Sequence, residues 1–327
     1  MGSTVEELST EDGDLDEAVV RERFNAIVVE DGRPLARIAP ETGIHYTTLS
    51  AWKAGNYSGN NERITGQVNQ WLTTREAKKR THAVLPEPPA FIMTPTASAI
   101  IDVLEAAQVL PDMAVISGAA GIGKTTAIEW YQRRAANVWL VTMEPSHTTL
   151  GSVMGAICQA VGYLKSRSAS DMSENIRRRM TGTGGLLILD EAQNLTLEAV
   201  DQIRAFHDRA KVGIAMVGNE TVAGRYSAAS LTAEYAPLFR RIGQKFRQRA
   251  LKKGDLDLLV GAWNLSDEGA QAVARAVGRA PGAAGIMTKV LRLAFLLAHH
   301  DQRPQPNKKD METAWEQLSA RTEGGAA

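Results

Sequence analysis

The stretch that most constrains this chain is Gly118-Ala119-Ala120-Gly121-Ile122-Gly123-Lys124-Thr125, which fits the pattern G-x-x-x-x-G-K-[ST]. An apolar run at 114–117 reads as a strand before it, and apolar spacing near 3.6 at 126–135 reads as a helix after it. That context matters, because the pattern carries its chemistry only as a strand-to-helix turn. Gly118, Gly121 and Gly123 let the backbone turn so that successive N–H groups face one anion, and the start of the helix adds a favourable dipole. Lys124 is then expected on the β and γ phosphates of a nucleotide. Thr125 is expected to place its hydroxyl on Mg²⁺, with Thr126 beside it as a further cofactor contact. The bland alternative is a glycine-rich turn that matches by accident, and the flanking elements count against it.

Further β-rich runs at 138–142, 186–189 and 214–217 alternate with helical patterns at 150–161 and 197–206, and a weaker run lies at 246–251. Such alternation predicts an α/β fold, a parallel sheet flanked by helices on both faces. In open sheets of this kind ligands sit at the carboxyl ends of the strands. One run leads into Asp190-Glu191, which assigns Asp190 to the metal and Glu191 to polarising the water that attacks the γ-phosphate. A helix cap is the competing reading of that acidic pair. Another leads through Gly218 into Asn219, a candidate to orient the water or read the γ-phosphate, or simply a turn residue before Glu220.

The chain ends are organised differently. The first seventeen residues carry seven acidic side chains and no Lys or Arg, so residues 1–20 read as a solvated acidic arm. A helix-turn-helix domain is expected over 21–75 and a linker over 76–95, marked by Pro86, Pro88, Pro89 and Pro95. The nucleotide-binding core then covers 96–253, a small helical C-terminal domain 254–315, and a flexible tail 316–327. A single cysteine, Cys158, excludes an internal disulfide, and the first residues lack the basic and apolar regions of a secretory leader. The apolar run at 290–298 is about half of the roughly 20 residues needed to cross a bilayer. These features point to the cytoplasm and to no membrane partner.

Lys plus Arg equals Asp plus Glu at 37 each, so any nucleic-acid affinity must come from local patches. Residues 35–54 have helix-turn-helix spacing: small Ala39, a turn at Gly43, then apolar Ile44, Leu49 and Trp52, with Pro40 as a departure inside the first helix. The second helix offers Tyr46, Thr47, Thr48, Ser50 and Lys53 to a major groove or its phosphates. With no Arg, Asn or Gln before Asn56, it suits phosphate contact better than base reading. A three-helix bundle that docks protein has the same apolar pattern. Residues 240–253 hold seven basic side chains and no acidic one, Lys245 and Arg247 among them, and Arg177-Arg178-Arg179 forms a second cluster. Both are candidate phosphate-tracking surfaces, Arg177 for an inner face of an assembly, and a solvated basic face is the ordinary alternative.

Taken together, the phosphate loop, the run Leu187-Ile188-Leu189-Asp190-Glu191-Ala192-Gln193 and Gly218-Asn219 resemble the AAA+ ATPases of transposition, the family of the phage Mu B protein. The resemblance covers residues 95–300, and the N-terminal helix-turn-helix is similar too. It implies a P-loop AAA+ domain with the additional-strand sheet, ATP hydrolysis with Mg²⁺, Asn219 as sensor 1, and an arginine finger at Arg241 or Arg240 acting across a subunit interface. It also implies self-association into filaments or rings on double-stranded DNA, choice of the integration target and stimulation of a transposase. The sequence departs from many AAA+ proteins at Gly282-Ala283-Ala284-Gly285, where glycine replaces the sensor 2 arginine and Lys289 or Arg292 is left to substitute. Two other readings stay open: an ATP-switched helix-turn-helix transcription regulator, and an AAA+ loader or secretion-type ATPase with a protein-docking N-terminal domain.

Overall fold

The computed structural model describes residues 16–86, 91–166, 168–225, 241–280 and 282–323, and the chain divides after Leu85 into two compact units. The N-terminal unit holds α1 (Glu17–Asp31), α2 (Leu35–Thr42), α3 (Tyr46–Lys53) and α4 (Asn61–Val84). Asp16 caps α1 by accepting from the Ala18 and Val19 amides, so helix begins inside the stretch read as acidic arm. α4 runs on through 76–84, which the sequence reading gave to the linker, because nothing breaks a helix between Arg75 and Pro86. Gly43, at φ 68°, ends α2 in the left-handed conformation that the turn into α3 requires. Pro40 is tolerated because it and Ala36, whose carbonyl loses its helical donor, both lie on the solvent face. Phe24, Ile38, Leu49, Trp52, Ile64 and Leu72 are fully buried at the centre, with Trp52 Nε1 donating to Thr65 Oγ1 at 3.2 Å.

The larger unit is built on five parallel strands: β1 (Met113–Gly118), β2 (Val138–Thr142), β3 (Leu186–Asp190), β4 (Gly213–Gly218) and β5 (Ile242–Gln248). Their order is β2-β3-β4-β1-β5. Between and before them lie α5 (Pro95–Val109), α6 (Lys124–Gln132), α7 (Leu150–Ala160), α8 (Ala169–Met180), a 3-10 turn (Ala192–Asn194), α9 (Leu197–Ala210) and α10 (Glu220–Arg225). Every residue of β1, β3 and β4 is buried, as central strands covered on both faces must be. Alternate residues serve the two layers. Val115, Leu187, Leu189 and Met216 pack with α7, α8 and α9, whereas Ile116, Leu186, Ile188 and Val217 pack with α5 and α6.

The fifth strand starts four residues earlier than the run at 246–251 and stops at Gln248. It is an edge strand, with Ile242, Gln244 and Phe246 half-buried while Gly243, Lys245 and Arg247 face solvent, so its basic residues hide the strand pattern. Four helices follow: α11 (Lys253–Gly261), α12 (Glu268–Val277), α13 (Ala283–His300) and α14 (Lys308–Glu323). α14 continues through 316–323, where a flexible tail was expected, since no Gly or Pro interrupts it and Met311 and Ala314 anchor it in the core. Among the described residues no helix is long and apolar enough to cross a membrane.

Candidate functional site

The strand order brings three carboxyl ends side by side: β3 with Asp190, β4 running into Asn219, and β1 running into the glycine-rich loop. Gly121 and Gly123 have φ of 79° and 94°, and Gly123 caps α6. Two glycines are also fixed by close approach. A Cβ on Gly121 would lie 2.0 Å from the Gly282 carbonyl oxygen, and one on Gly118 2.3 Å from that of Gln248. The loop is held from both sides, because Ala284 N donates to Gly121 O at 3.1 Å and Ala119 N to Gln248 O at 3.2 Å. The start of α13 and the end of β5 thus brace a turn whose amides and helix N-terminus suit an anion.

Lys124 Nζ donates to the carbonyls of Gly118 at 2.8 Å and Ala119 at 2.9 Å, which lays its ammonium across the loop. Burial holds its pKa below the usual lysine range, and the Asp190 and Glu191 carboxylates work against that shift. Thr125 Oγ1 donates to Asp190 Oδ2 at 3.0 Å, while Asp190 Oδ1 accepts from Glu191 N at 2.9 Å. Asp190 is 2% exposed, and that burial raises its carboxyl above the ordinary value despite both hydrogen bonds. A hydroxyl and one carboxylate, both hard oxygen donors, meet beside a phosphate-sized turn. This donor set fits Mg²⁺, which takes one or two carboxylates and completes its shell with phosphate oxygens and water.

Glu191 follows at φ 54°, ψ 38°, a left-handed conformation that costs a non-glycine residue roughly 1–2 kcal/mol. Its carboxylate accepts from Gln193 Nε2, and Gln193 Oε1 accepts from Asn219 N at 3.3 Å. Asn219 Oδ1 accepts from Thr221 N at 2.9 Å, so its side chain caps α10 in the manner of a turn residue while standing at the site's edge.

A cavity of about 190 Å³ opens beside Ile122, Gly123 and Thr126 and is walled by Phe91, Trp263 and Met287. It is mostly apolar and suits the planar base of a nucleotide. Phe91 stacks on Trp130 with centroids 5.1 Å apart, and the Arg134 guanidinium lies 4.3 Å over Trp130, which fixes one wall. Sequence reasoning missed this cavity. Its one local signal is the apolar Phe91-Ile92-Met93 that follows Pro89-Ala90, and Leu259, Trp263 and Met287 reach it from the C-terminal helices and the turns between them. A second cavity of about 220 Å³ lies against Ala119 and Ala120 and is lined by Arg249 and Arg279. Lys289 and Arg292, the expected sensor 2 substitutes, line neither cavity.

The other candidate residues lie elsewhere. Arg241 precedes β5 at the amino end of the sheet, where Met113 N donates to its carbonyl and its Nε pairs with Asp208 Oδ1 at 2.6 Å. That pair raises the guanidinium's pKa and lowers the carboxyl's. Arg240 lies outside the described residues. On α3, Tyr46 and Thr47 are exposed and Thr48, Ser50 and Lys53 half-buried, while Leu49 and Trp52 turn inward. Arg177 sits in the last turn of α8 and its Nε donates to Glu174 at 2.9 Å. Lys245 and Arg247 are exposed on β5, at one edge of the sheet, whereas α8 packs on α7 and α9 and α7 reaches the opposite edge strand β2. Within one chain these basic residues do not form a single patch.

Comparison with known proteins agrees with this architecture. Residues 110–225 match the family model described as an AAA domain, and residues 240–318 the one described as Mu B transposition protein, C terminal. The chain is 31% identical over 283 residues to the ATP-dependent target DNA activator B of Escherichia phage Mu, covering 86% of this chain and 89% of that protein. It is 34% identical over 257 residues to the Mu-like prophage FluMu DNA transposition protein B of Haemophilus influenzae, covering 78% and 88%. Among solved structures, the ORC2 protein of Aeropyrum pernix in its ADPNP and ADP complexes aligns with a TM-score of 0.54 at 17% identity over 71% of each chain. At that identity the likeness speaks to the fold, a P-loop AAA+ domain.

Proposed function

The chain belongs to the family of Mu B transposition proteins, and from that premise we propose that it is an ATP-dependent, DNA-binding AAA+ ATPase of transposition. In this reading it assembles as a helical filament or ring on double-stranded DNA, selects the target and activates a transposase. The observation that carries the reading is the 3.0 Å hydrogen bond from Thr125 to Asp190, which joins the phosphate loop to the strand-end carboxylate as a nucleoside triphosphate with its metal requires. The relatives' names, target DNA activator and DNA transposition protein, support the part played by DNA.

Thr125 and Asp190 would hold Mg²⁺, which when bound would supply positive charge to the phosphate oxygens. The chain's own residues do the rest. Loop amides and Lys124 grip the β and γ phosphates, Thr126 and the Phe91 wall hold the nucleoside, Glu191 takes a proton from the attacking water, and Asn219 orients it. Arg241, at the far end of its own sheet, acts on a neighbour's nucleotide, so turnover requires assembly. Tyr46, Thr47, Thr48, Ser50 and Lys53 with Arg177, Lys245 and Arg247 supply duplex contacts, chiefly to phosphates.

The test is nucleotide-dependent duplex binding by the full chain, followed by sedimentation and electron microscopy. Lys124→Ala is expected to lose ATP binding and assembly together, while Glu191→Gln keeps binding, loses turnover by about 100-fold or more, and accumulates the assembled form. Duplex association indifferent to ATP overturns the reading.

A further inference from the structure

The residue two places beyond Glu191 has no part in the roles assigned above. We infer that Gln193 is a positioning residue for hydrolysis: its amide holds the Glu191 carboxylate and ties it to the end of β4. This rests on the assignment of Glu191 to the attacking water.

Gln193 stands on a stiff platform. It lies in the 3-10 turn Ala192–Asn194, which is closed by Asn194 N donating to Glu191 O at 3.0 Å and Leu195 N to Ala192 O at 3.2 Å. The Asn194 side chain anchors that turn to the segment after β2 by donating to Met143 O at 2.7 Å, and Ala192 is fully buried. From this platform the amide reaches in two directions, donating through Nε2 to Glu191 and accepting through Oε1 from Asn219 N. Gly218 makes room for it: a Cβ there would lie 2.3 Å from Gln193 Oε1. The link therefore joins the water-activating carboxylate to the strand end that carries Asn219, while the Asn219 side chain is engaged separately with Thr221.

An amide side chain donates and accepts from separate atoms and carries no charge at any pH, and asparagine is one methylene shorter. Holding one carboxylate oxygen of Glu191 leaves the other to receive the water's proton. Loss of that hold lets the base rotate among rotamers, and a misplacement of about 1 Å costs on the order of 100-fold in rate. Replacing Gln193 by glutamate keeps an acceptor for Asn219 N but sets two carboxylates against each other.

The experiment is steady-state ATP hydrolysis by the full chain on duplex DNA, with kcat and KM separated and nucleotide affinity measured with a fluorescent ATP analogue. Gln193→Ala is expected to lower kcat about 10- to 100-fold while KM and nucleotide affinity stay within about twofold. Gln193→Glu is expected to be as slow, since it keeps an acceptor for Asn219 N but repels the Glu191 carboxylate. A native kcat in Gln193→Ala overturns the inference, as does nucleotide affinity that falls in step with kcat or a native kcat in Gln193→Glu. Glu191→Gln is measured alongside. If it turns over normally, the assignment of Glu191 fails and this inference with it; if it is inactive while Gln193→Ala is native, only the role of Gln193 fails.

Discussion

Gly121 is constrained twice over, by its backbone angle and by its neighbour. Its φ of 79° is left-handed, and the space a Cβ would fill is taken by the Gly282 carbonyl 2.0 Å away. Gly121→Ala therefore meets a backbone cost of roughly 1–2 kcal/mol and a clash with backbone that no rotamer relieves. The start of α13 must retreat from the loop, so thermal unfolding is expected at a lower temperature and nucleotide affinity is expected to be lost. A variant with native melting and native ATP affinity overturns this account of the brace. The motif was legible in the sequence because a phosphate turn is a local object. The reason Gly121 in particular tolerates no side chain was not, since its neighbour comes from the far end of the chain. Asp255 shows the same limit: fully buried, it accepts from Thr96 N at 2.8 Å, Thr96 Oγ1 at 2.6 Å and Lys252 N at 2.8 Å, and so caps α5 and α11 with one carboxylate. Nothing in Lys252-Lys253-Gly254-Asp255 announces its distant partner.

At the level of elements, strands buried on both faces were plain from their apolar runs, and the edge strand was misplaced because its outward residues are charged. Helix ends were the least legible, and α14 shows why they matter. Asp310 and Asn307 exchange capping hydrogen bonds at its start, and Arg303 clasps the Asp310 carboxylate at 2.6 and 2.8 Å. The guanidinium holds that carboxyl below the usual carboxylate range. A carboxyl whose pKa is lower in the folded chain stabilises it fully above the unfolded value of about 3.9, and that contribution is lost as the pH falls through the folded value. Asp310→Asn is expected to cost about 1.5–3 kcal/mol at pH 7, and the gap from the native chain is expected to narrow as the pH falls below about 4. Denaturant titrations at pH 7 and at about pH 2.5 check both the size and the sign; a gap that widens on acidification sinks the assignment.

For the molecule as a whole, one chain brings together the glycine-rich loop, Thr125, Asp190, Glu191 and the apolar cavity, while Arg241 sits at the opposite end of the sheet in its own pair with Asp208. If Arg241 serves a neighbour, two inactive variants complement each other. Lys124→Ala subunits cannot hold ATP but present a native Arg241; Arg241→Ala subunits hold ATP but present no finger. Each alone is expected to be slower by about 1000-fold, and a mixture on duplex DNA is expected to recover a measurable fraction of native turnover. A mixture no faster than its parts places the finger elsewhere.

What the sequence by itself determined are three features with local causes: the glycine-rich turn between strand and helix, the strand-end acidic pair, and the parallel α/β layering that follows from alternating apolar runs. Those features depend on residue type at short spacing. Only the tertiary structure decided which distant segments close the site: Phe91 and the C-terminal helices around the apolar cavity, Gly282 against the loop, Asp255 between two helices, and the Gln193 amide against Asn219 N at the end of β4. These are contacts between groups far apart in the chain, set by strand order and helix packing, and no short spacing in the sequence records them.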